Sequence, residues 1–109
     1  MSLEDWAKFV ADHLKGLRGE PANLRPESYT YLHTPPFQGD YMGGWSMTRR
    51  GWGGGRVFTH AGSNNQNYAV VWMTALKDFA VLVATNQGGD AADKAFDSVA
   101  AKLIARFLP

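Results

Sequence analysis

Residues 58–85 read FTHAGSNNQNYAVVWMTALKDFAVLVAT, and this stretch decides the fold. It contains two apolar runs, residues 68–76 and 79–85, which a short polar link at residues 77–78 separates. Two such runs with a tight polar link predict a pair of antiparallel strands. Residues 80–84 (AVLVA) lack polar alternation, which favours a central strand that is covered on both faces.

A third strand is predicted over residues 56–63, which overlap the beginning of this stretch. This strand holds the strongest candidate for a site. His60 is followed two residues later by Gly62, then by Ser63 and a polar turn at residues 64–67. A glycine in a strand lets a ligand approach the backbone closely, and the imidazole stands beside it. The pattern predicts one wall of a functional site at His60 and Gly62.

Upstream of the His60 strand, residues 41–50 alternate well enough to predict one further strand, with Tyr41 and Trp45 on the same face. Its adjacent glycines, Gly43 and Gly44, indicate a bulge or a close approach of another segment. The glycine-rich residues 50–55 form the connection into the next strand, with Trp52 at its tip, either exposed or folded over a pocket mouth.

Helical patterns occupy both ends of the chain. Ser2 is a good N-cap for a helix that Gly16 and Gly19 end. A long last helix begins near Asp90. Its predicted apolar stripe consists of Ala92, Ala95, Phe96, Val99, Leu103 and Phe107. Between the first helix and the strands, residues 19–40 carry four prolines and predict an irregular connector, with a helical turn at residues 28–33.

This order of elements predicts an α+β fold: an antiparallel sheet of three to four strands with an N-terminal helix and a long C-terminal helix. Residues 1–109 are expected to form a single domain or a fragment of one. Two helices cover one face of a small sheet well, but they do not obviously cover both faces. Either the packing is tight, or a covering partner is missing.

Composition excludes several classes of function. Lys and Arg number 11 against 10 Asp and Glu, without a basic block, so no nucleic-acid partner is expected. The absence of cysteine excludes disulfides, a thiolate nucleophile and cysteine zinc sites. Neither a membrane span nor a signal peptide is predicted, and the compartment stays open. His13 is expected to be a partly exposed helix residue, and His33 has no partner at metal-ligand spacing.

The chain lacks the parts of a complete hydrolase. A serine nucleophile needs a base beside it, and one large group of enzymes supplies a lysine in the motif Ser-x-x-Lys. No serine in this sequence is followed by lysine at the third position, and no Gly-x-Ser-x-Gly or His-Glu-x-x-His motif occurs. We therefore expect the chain to be inactive alone.

The order of motifs nevertheless resembles the C-terminal part of the serine β-lactamase-related hydrolases, which include class C β-lactamases, D-alanyl-D-alanine peptidases and related esterases. The resemblance rests on residues 41–45 (YMGGW), residues 58–63 (FTHAGS), the two apolar strands ending in residues 84–86 (ATN), and the closing helix. Residues 2–9 (SLEDWAKF) look like the helix that follows the second catalytic motif of that family. The resemblance implies a partial β-lactamase-like fold.

The resemblance also implies roles for particular residues. In many members, the third motif is His-x-Gly on the strand that edges the active site, which His60 and Gly62 match. His60 would orient the substrate or the catalytic base, Gly62 would allow close approach, and the Ser63 backbone N–H would be an oxyanion donor. Trp52 and Asn64 are the candidate substrate-binding residues.

The reaction implied is acyl-serine hydrolysis of an ester, amide or β-lactam, without metal or cofactor. The Ser-x-x-Lys and Tyr-x-Asn motifs of the family are absent, so the expected partners are the N-terminal part of the same enzyme, or a second copy of the chain, and a small acyl substrate. Family members are often extracytoplasmic.

Two other hypotheses stay open. A small binding module would use Trp45, Trp52 and residues 64–67 to hold a ligand such as a sugar. A self-associating fragment would pair the open edges of its sheet between copies.

Overall fold

The computed structural model describes residues 1–108 as one antiparallel sheet between helices, which confirms the predicted α+β class with one more strand than expected. The strands follow one another in the order β1 to β5. The elements are α1 (Leu3–Leu17), α2 (Pro26–Leu32), β1 (Tyr41–Met42), β2 (Trp45–Arg50), a 3-10 turn (Gly51–Gly53), β3 (Gly55–Ser63), β4 (Tyr68–Thr74), β5 (Phe79–Thr85) and α3 (Asp90–Phe107).

The strand register places one row of apolar side chains beneath α1. Met47 pairs with Phe58, and Phe58 pairs with Met73 across the next two strands. Because paired residues point to the same side of a sheet, these side chains share one face with one another. Val10 and Leu14 of α1 pack onto that face and complete the core.

Helix α3 covers the opposite face. The ring of Tyr68 on β4 meets the buried ring of Phe96 edge-on at a centroid distance of 4.8 Å. The Tyr68 hydroxyl also donates a hydrogen bond to Asp93 Oδ1 at 2.9 Å. The fold therefore has three layers, with α1 on one side of the sheet and α3 on the other.

The prediction that residues 80–84 form a central strand was wrong in position, because β5 is the last strand of the sheet. The expectation that both faces of this strand are covered was correct: α1 packs on one face and α3 on the other. The apolar composition of β5 therefore reflects two covered faces and not two neighbouring strands.

The single strand predicted over residues 41–50 is in fact a hairpin. Gly43 and Gly44 form its two-residue turn, with φ values of 52° and 88°. Positive φ at both turn positions suits the tight turn that joins twisted strands, and glycine adopts it without steric cost. Met42 pairs with Trp45 and both are buried, whereas Tyr41 is exposed, so the predicted sharing of a face by Tyr41 and Trp45 was wrong.

The helical turn predicted at residues 28–33 of the connector is part of α2, which begins two residues earlier, so the connector is less irregular than predicted. The Tyr29 side chain of α2 is buried against α1 at Gly16, where any side chain would overlap its ring. Gly16 therefore serves helix packing and does not end α1. The helix ends at Leu17, and the φ of 76° at Gly19 lets the Glu20 N–H return to the Lys15 carbonyl.

A pair of buried histidines joins α1, the connector and the sheet. His13 and His33 are 7% and 1% exposed, and His13 Nδ1 lies 3.1 Å from His33 Nε2. The His33 ring also packs against Trp45 and Phe58 at centroid distances of 5.8 and 5.1 Å. The prediction of a partly exposed His13 was therefore wrong.

The hydrogen bonds of the pair fix the positions of its protons. His33 Nδ1 lies 2.8 Å from the Tyr29 carbonyl oxygen, which can only accept, so His33 Nδ1 carries the hydrogen. Neutral His33 Nε2 must then accept from His13 Nδ1–H. Burial lowers the pKa of His33 to about 4, with the hydrogen bond to Tyr29 opposing this shift and the positive charges of His13 and Arg56 adding to it.

We predict that acid destabilises the fold through His33. Because the pKa of His33 is about 4 in the folded state and 6.5 for a free imidazole, the unfolded chain binds more protons between these pH values. Stability contributed by neutral His33 is complete above pH 6.5 and declines by up to about 3 kcal/mol as the pH falls to about 4. Urea unfolding at several pH values measures this decline.

Titration of the imidazole signals by NMR serves as the control for this assignment. His33 should still be neutral at pH 5 in the folded protein. A free energy of unfolding that stays constant from pH 6.5 to 4 would contradict the prediction.

Candidate functional site

His60 and Gly62, two of the residues predicted for a site, lie on the same face of β3 and line one groove. The groove has a volume of about 350 Å³ and lies on the α1 side of the sheet. Its lining comes from four segments: Trp6 and Phe9 of α1, the turn residues Gly43 and Gly44 with Trp45, His60 and Gly62 of β3, and Ala69 and Val71 of β4.

The space in front of Gly62 is open. A Cβ atom placed on Gly62 would meet no heavy atom of the protein within 4 Å outside the adjacent residues. The His60 side chain is exposed beside it, with its ring centroid 6.3 Å from that of Tyr41. A ligand can therefore reach the β3 backbone while it contacts the imidazole.

The groove is apolar apart from this imidazole. Among the lining residues, His60 alone has an ionisable side chain. A second groove of about 260 Å³ shares Trp6 and Ala69 with the first and extends it to Leu3 and Ala84. The combined surface offers apolar contacts along its length and one group at His60 that can exchange a hydrogen bond or a proton.

Two groove residues, Trp6 and Phe9, were not predicted to belong to a site. Helical spacing places Trp6 in the apolar stripe of α1 with Val10 and Leu14, although Trp6 is only partly buried. Phe9 is 53% exposed and falls outside that stripe. A large aromatic residue off the apolar stripe of an amphipathic helix was the available signal for a second contact surface.

Ser63 and Asn64 lie at the end of β3, where the chain turns. Ser63 is the last residue of the strand and pairs with Tyr68. The Asn64 carboxamide oxygen accepts hydrogen bonds from the N–H groups of Gln66 and Asn67, at 3.2 and 2.8 Å. Asn64 Oδ1 thus closes the turn, and this bonding orients it toward its own loop.

Trp52 is not brought to the His60 groove. Its ring meets that of Trp72 at 6.2 Å, edge to face, and the Arg50 guanidinium carbon lies 5.4 Å from the Trp72 ring centroid. These three residues line a separate groove of about 730 Å³ beside α3. The candidate residues therefore divide between opposite faces of the sheet.

The His60 groove offers one group that can take part in acid–base chemistry, the imidazole of His60. An imidazole beside open backbone can orient a substrate or transfer a proton, but covalent catalysis also needs an activated nucleophile. Among the serines of residues 1–108, only Ser2 lines either of the two continuous grooves, and its hydroxyl accepts the Asp5 N–H at 3.0 Å as the cap of α1. Its geometry is that of a helix cap.

Comparisons of the chain with protein-family models, with curated proteins and with solved structures found no match. Within residues 1–108, no helix is both long and apolar enough to cross a membrane.

We predict that Gly43→Ala destabilises the wall of the His60 groove. A Cβ at Gly43 would lie 2.5 Å from the Leu32 carbonyl oxygen, and φ is 52° at this position. The clash and the backbone strain together should lower the free energy of unfolding by about 1–3 kcal/mol. Chemical denaturation measures the change.

Gly51→Ala is the matched control, because a Cβ there has open space and φ lies outside the left-handed region. It should change stability by less than about 0.5 kcal/mol. Equal stability of the two variants would overturn the assignment of Gly43 to a sterically required turn.

Proposed function

We propose that this chain is the C-terminal part of a β-lactamase-related serine hydrolase and supplies the His-x-Gly strand of its active site. The reaction is acyl transfer to a serine followed by hydrolysis of the acyl-serine, on an ester, amide or β-lactam. The nucleophile and its base come from the N-terminal part of the enzyme. The chain alone is inactive.

The observation that carries this proposal is the shared groove of His60 and Gly62. Both residues face the same side of β3, and the backbone at Gly62 is open to a ligand. The tight turn at Gly43 and Gly44 brings the loop before β2 to the same groove. The 41–45 and 58–63 segments are two of those on which the family resemblance rests, and residues of both line the groove.

The roles follow from the chemistry of each group. His60 orients the substrate or the catalytic base through its imidazole, and Gly62 admits the acyl group against the strand. The Ser63 backbone N–H is one of two donors to the oxyanion that forms during attack. Removal of one such donor typically lowers kcat by about 10²–10³-fold when the site is preorganised.

We predict that joining an N-terminal portion with Ser-x-x-Lys and Tyr-x-Asn motifs ahead of residue 1 yields a hydrolase. Turnover of nitrocefin and of p-nitrophenyl butyrate measures activity, and the chain alone should show none. In the joined protein, Gly62→Val should lower kcat/KM by about 100-fold or more, because its side chain would occupy the open space before the strand.

Ala61→Val is the matched control, since Ala61 is an exposed neighbour whose side chain points to the other face of β3. It should change kcat/KM by less than about threefold. Equal activity of the two folded variants would contradict the proposal. Turnover by the chain alone that survives substitution of every serine would also contradict the proposal.

A second candidate function, ligand binding, is favoured by the groove beside α3. Trp52 and Trp72 present their rings there, and Arg50 adds a guanidinium group next to Trp72. Indole faces suit a flat ligand such as a sugar ring. The geometry disfavours Trp45 and Asn64 as further contacts, because Trp45 is buried and Asn64 Oδ1 closes its own turn.

For this candidate we expect that Trp52→Ala abolishes the binding of any sugar or aromatic ligand that quenches the tryptophan fluorescence of the native chain. A glycan and small-molecule panel identifies the ligand. Phe37→Ala removes an aromatic side chain that is 85% exposed and does not line this groove, so it should leave affinity unchanged. Unchanged binding by the Trp52 variant would eliminate the site.

A further inference from the structure

We propose that the buried His13–His33 pair is an acid-sensitive support of the His60 groove: a first proton leaves the pair intact, and a second proton breaks it and releases the groove wall. Every contact of this device lies within the chain itself. The change in structure does not depend on the reaction that the groove serves, whereas its consequence for catalysis rests on the function proposed above.

Both imidazoles pack directly against residues of the groove. The centroid of the His13 ring lies 4.5 Å from that of Phe9 and 5.7 Å from that of Trp45. The His33 ring lies 5.8 Å from the Trp45 ring. Phe9 and Trp45 both line the groove. The histidine pair therefore supports two groove residues from the core side.

The pair also holds the glycine turn that lines the groove. His33 directly follows Leu32, whose carbonyl oxygen lies 2.5 Å from the position that a Cβ on Gly43 would take. Gly43 is itself a lining residue of the groove. Because the backbone next to His33 is in such close contact with the turn, a displacement of His33 also removes the support of the turn.

The hydrogen-bonding capacity of the two rings sets how many protons the pair can hold. In the neutral pair, His13 Nδ1–H donates to His33 Nε2, and His33 Nδ1–H donates to the Tyr29 carbonyl oxygen. His13 Nε2 carries no hydrogen in this tautomer, so a proton that binds there leaves the 3.1 Å hydrogen bond in place. A second proton, on His33 Nε2, would set two N–H donors against each other without an acceptor between them. The pair must then separate.

The charges that face the pair determine the order of protonation. Burial lowers the pKa of His13 from 6.5, and the negative charge of Asp12 on α1 opposes this shift. Burial lowers the pKa of His33 to about 4; the hydrogen bond to Tyr29 of α2 opposes this shift, and the charges of His13 and of Arg56 on β3 add to it. His13 therefore takes the first proton, and His33 takes the second near pH 4.

Asp12 keeps its charge during this step. Burial raises the pKa of Asp12, but hydrogen bonds from the Tyr29 hydroxyl at 2.6 Å and the Asn23 N–H at 3.0 Å outweigh burial, so this pKa is lowered from 3.8. A break of the pair near pH 4 is therefore assigned to His33.

The release is expected to stay local. Within residues 1–108, the aromatic contacts of the two imidazoles go to α1, α2, β2 and β3, and none goes to β4, β5 or α3. Tyr68 and Phe96 hold α3 against β4 on the other face of the sheet. Segments with separate contacts can open separately, so β4, β5 and α3 should stay folded when the groove wall is released.

NMR spectroscopy of the native chain between pH 7 and pH 3 tests the proposal. Nuclear Overhauser contacts between the Trp45 ring and the two imidazoles should persist while His13 titrates and should be lost with a midpoint near pH 4. The amides of β5 should keep their protection from hydrogen exchange through this step. Loss of the contacts together with the titration of His13 would overturn the proposal, as would simultaneous loss of protection in β5.

His13→Asn tests the coupling between the two rings. The asparagine N–H can still donate to His33 Nε2, but it adds no positive charge in acid. Because charged His13 lowers the pKa of His33, the midpoint for loss of the contacts between Trp45 and His33 should move to higher pH in this variant. An unchanged midpoint would contradict the proposal. If this variant does not fold, the order of events in the native chain decides.

His60→Asn is the matched control, because His60 is exposed and lies outside the pair. It should leave the midpoint near pH 4 unchanged, and a shift equal to that of His13→Asn would assign the acid response to the groove histidine instead. The test needs no hydrolase activity. It therefore decides the inference whether or not the joined protein turns over nitrocefin.

Discussion

The hydrogen bond between His13 and His33 is the constraint on which the rest of the structure depends. It joins the middle of α1 to the end of α2, and its two rings fill the space above Trp45 and Phe58. His33 accepts from His13 and donates to the Tyr29 carbonyl, so both ring nitrogens of His33 are hydrogen-bonded in the core. The connector is thereby held against the sheet, and its Leu32 carbonyl lies where the Gly43 turn passes.

The position of the groove follows from this arrangement. Helix α1 crosses the sheet so that its second half is buried, with Val10 and Leu14 in the core, while Trp6 and Phe9 reach the end of the sheet where the Gly43 turn lies. Alternation along β3 points His60 and Gly62 to this side. The face beneath α3 holds different chemistry, an indole pair with a guanidinium group, and the sheet separates the two surfaces. A three-layer fold therefore gives this small chain two independent grooves.

The sequence predicted most of the regular structure because the apolar periods were clear. β5 spans the residues predicted for it, and Ser2 caps α1 as expected. Three features differ from the prediction for identifiable reasons. The turn at Gly43 and Gly44 divides an alternation that looked continuous, and the proline-rich connector indicated only a helical turn at residues 28–33 where α2 lies. The burial of His13 and His33 needs a partner 20 residues away. Local patterns carry no information on such pairs.

By itself, the sequence determined the α+β class, the strand that carries His60 and Gly62, and the absence of a Ser-x-x-Lys motif. These depend on residue type and on spacing along the chain. Only the tertiary structure decided that β5 is an edge strand, that Trp52 lies on the other face from His60, and that two histidines share a buried hydrogen bond. Periodicity fixes which side of a strand a residue faces, whereas strand order and the choice of face for each helix depend on packing between distant segments.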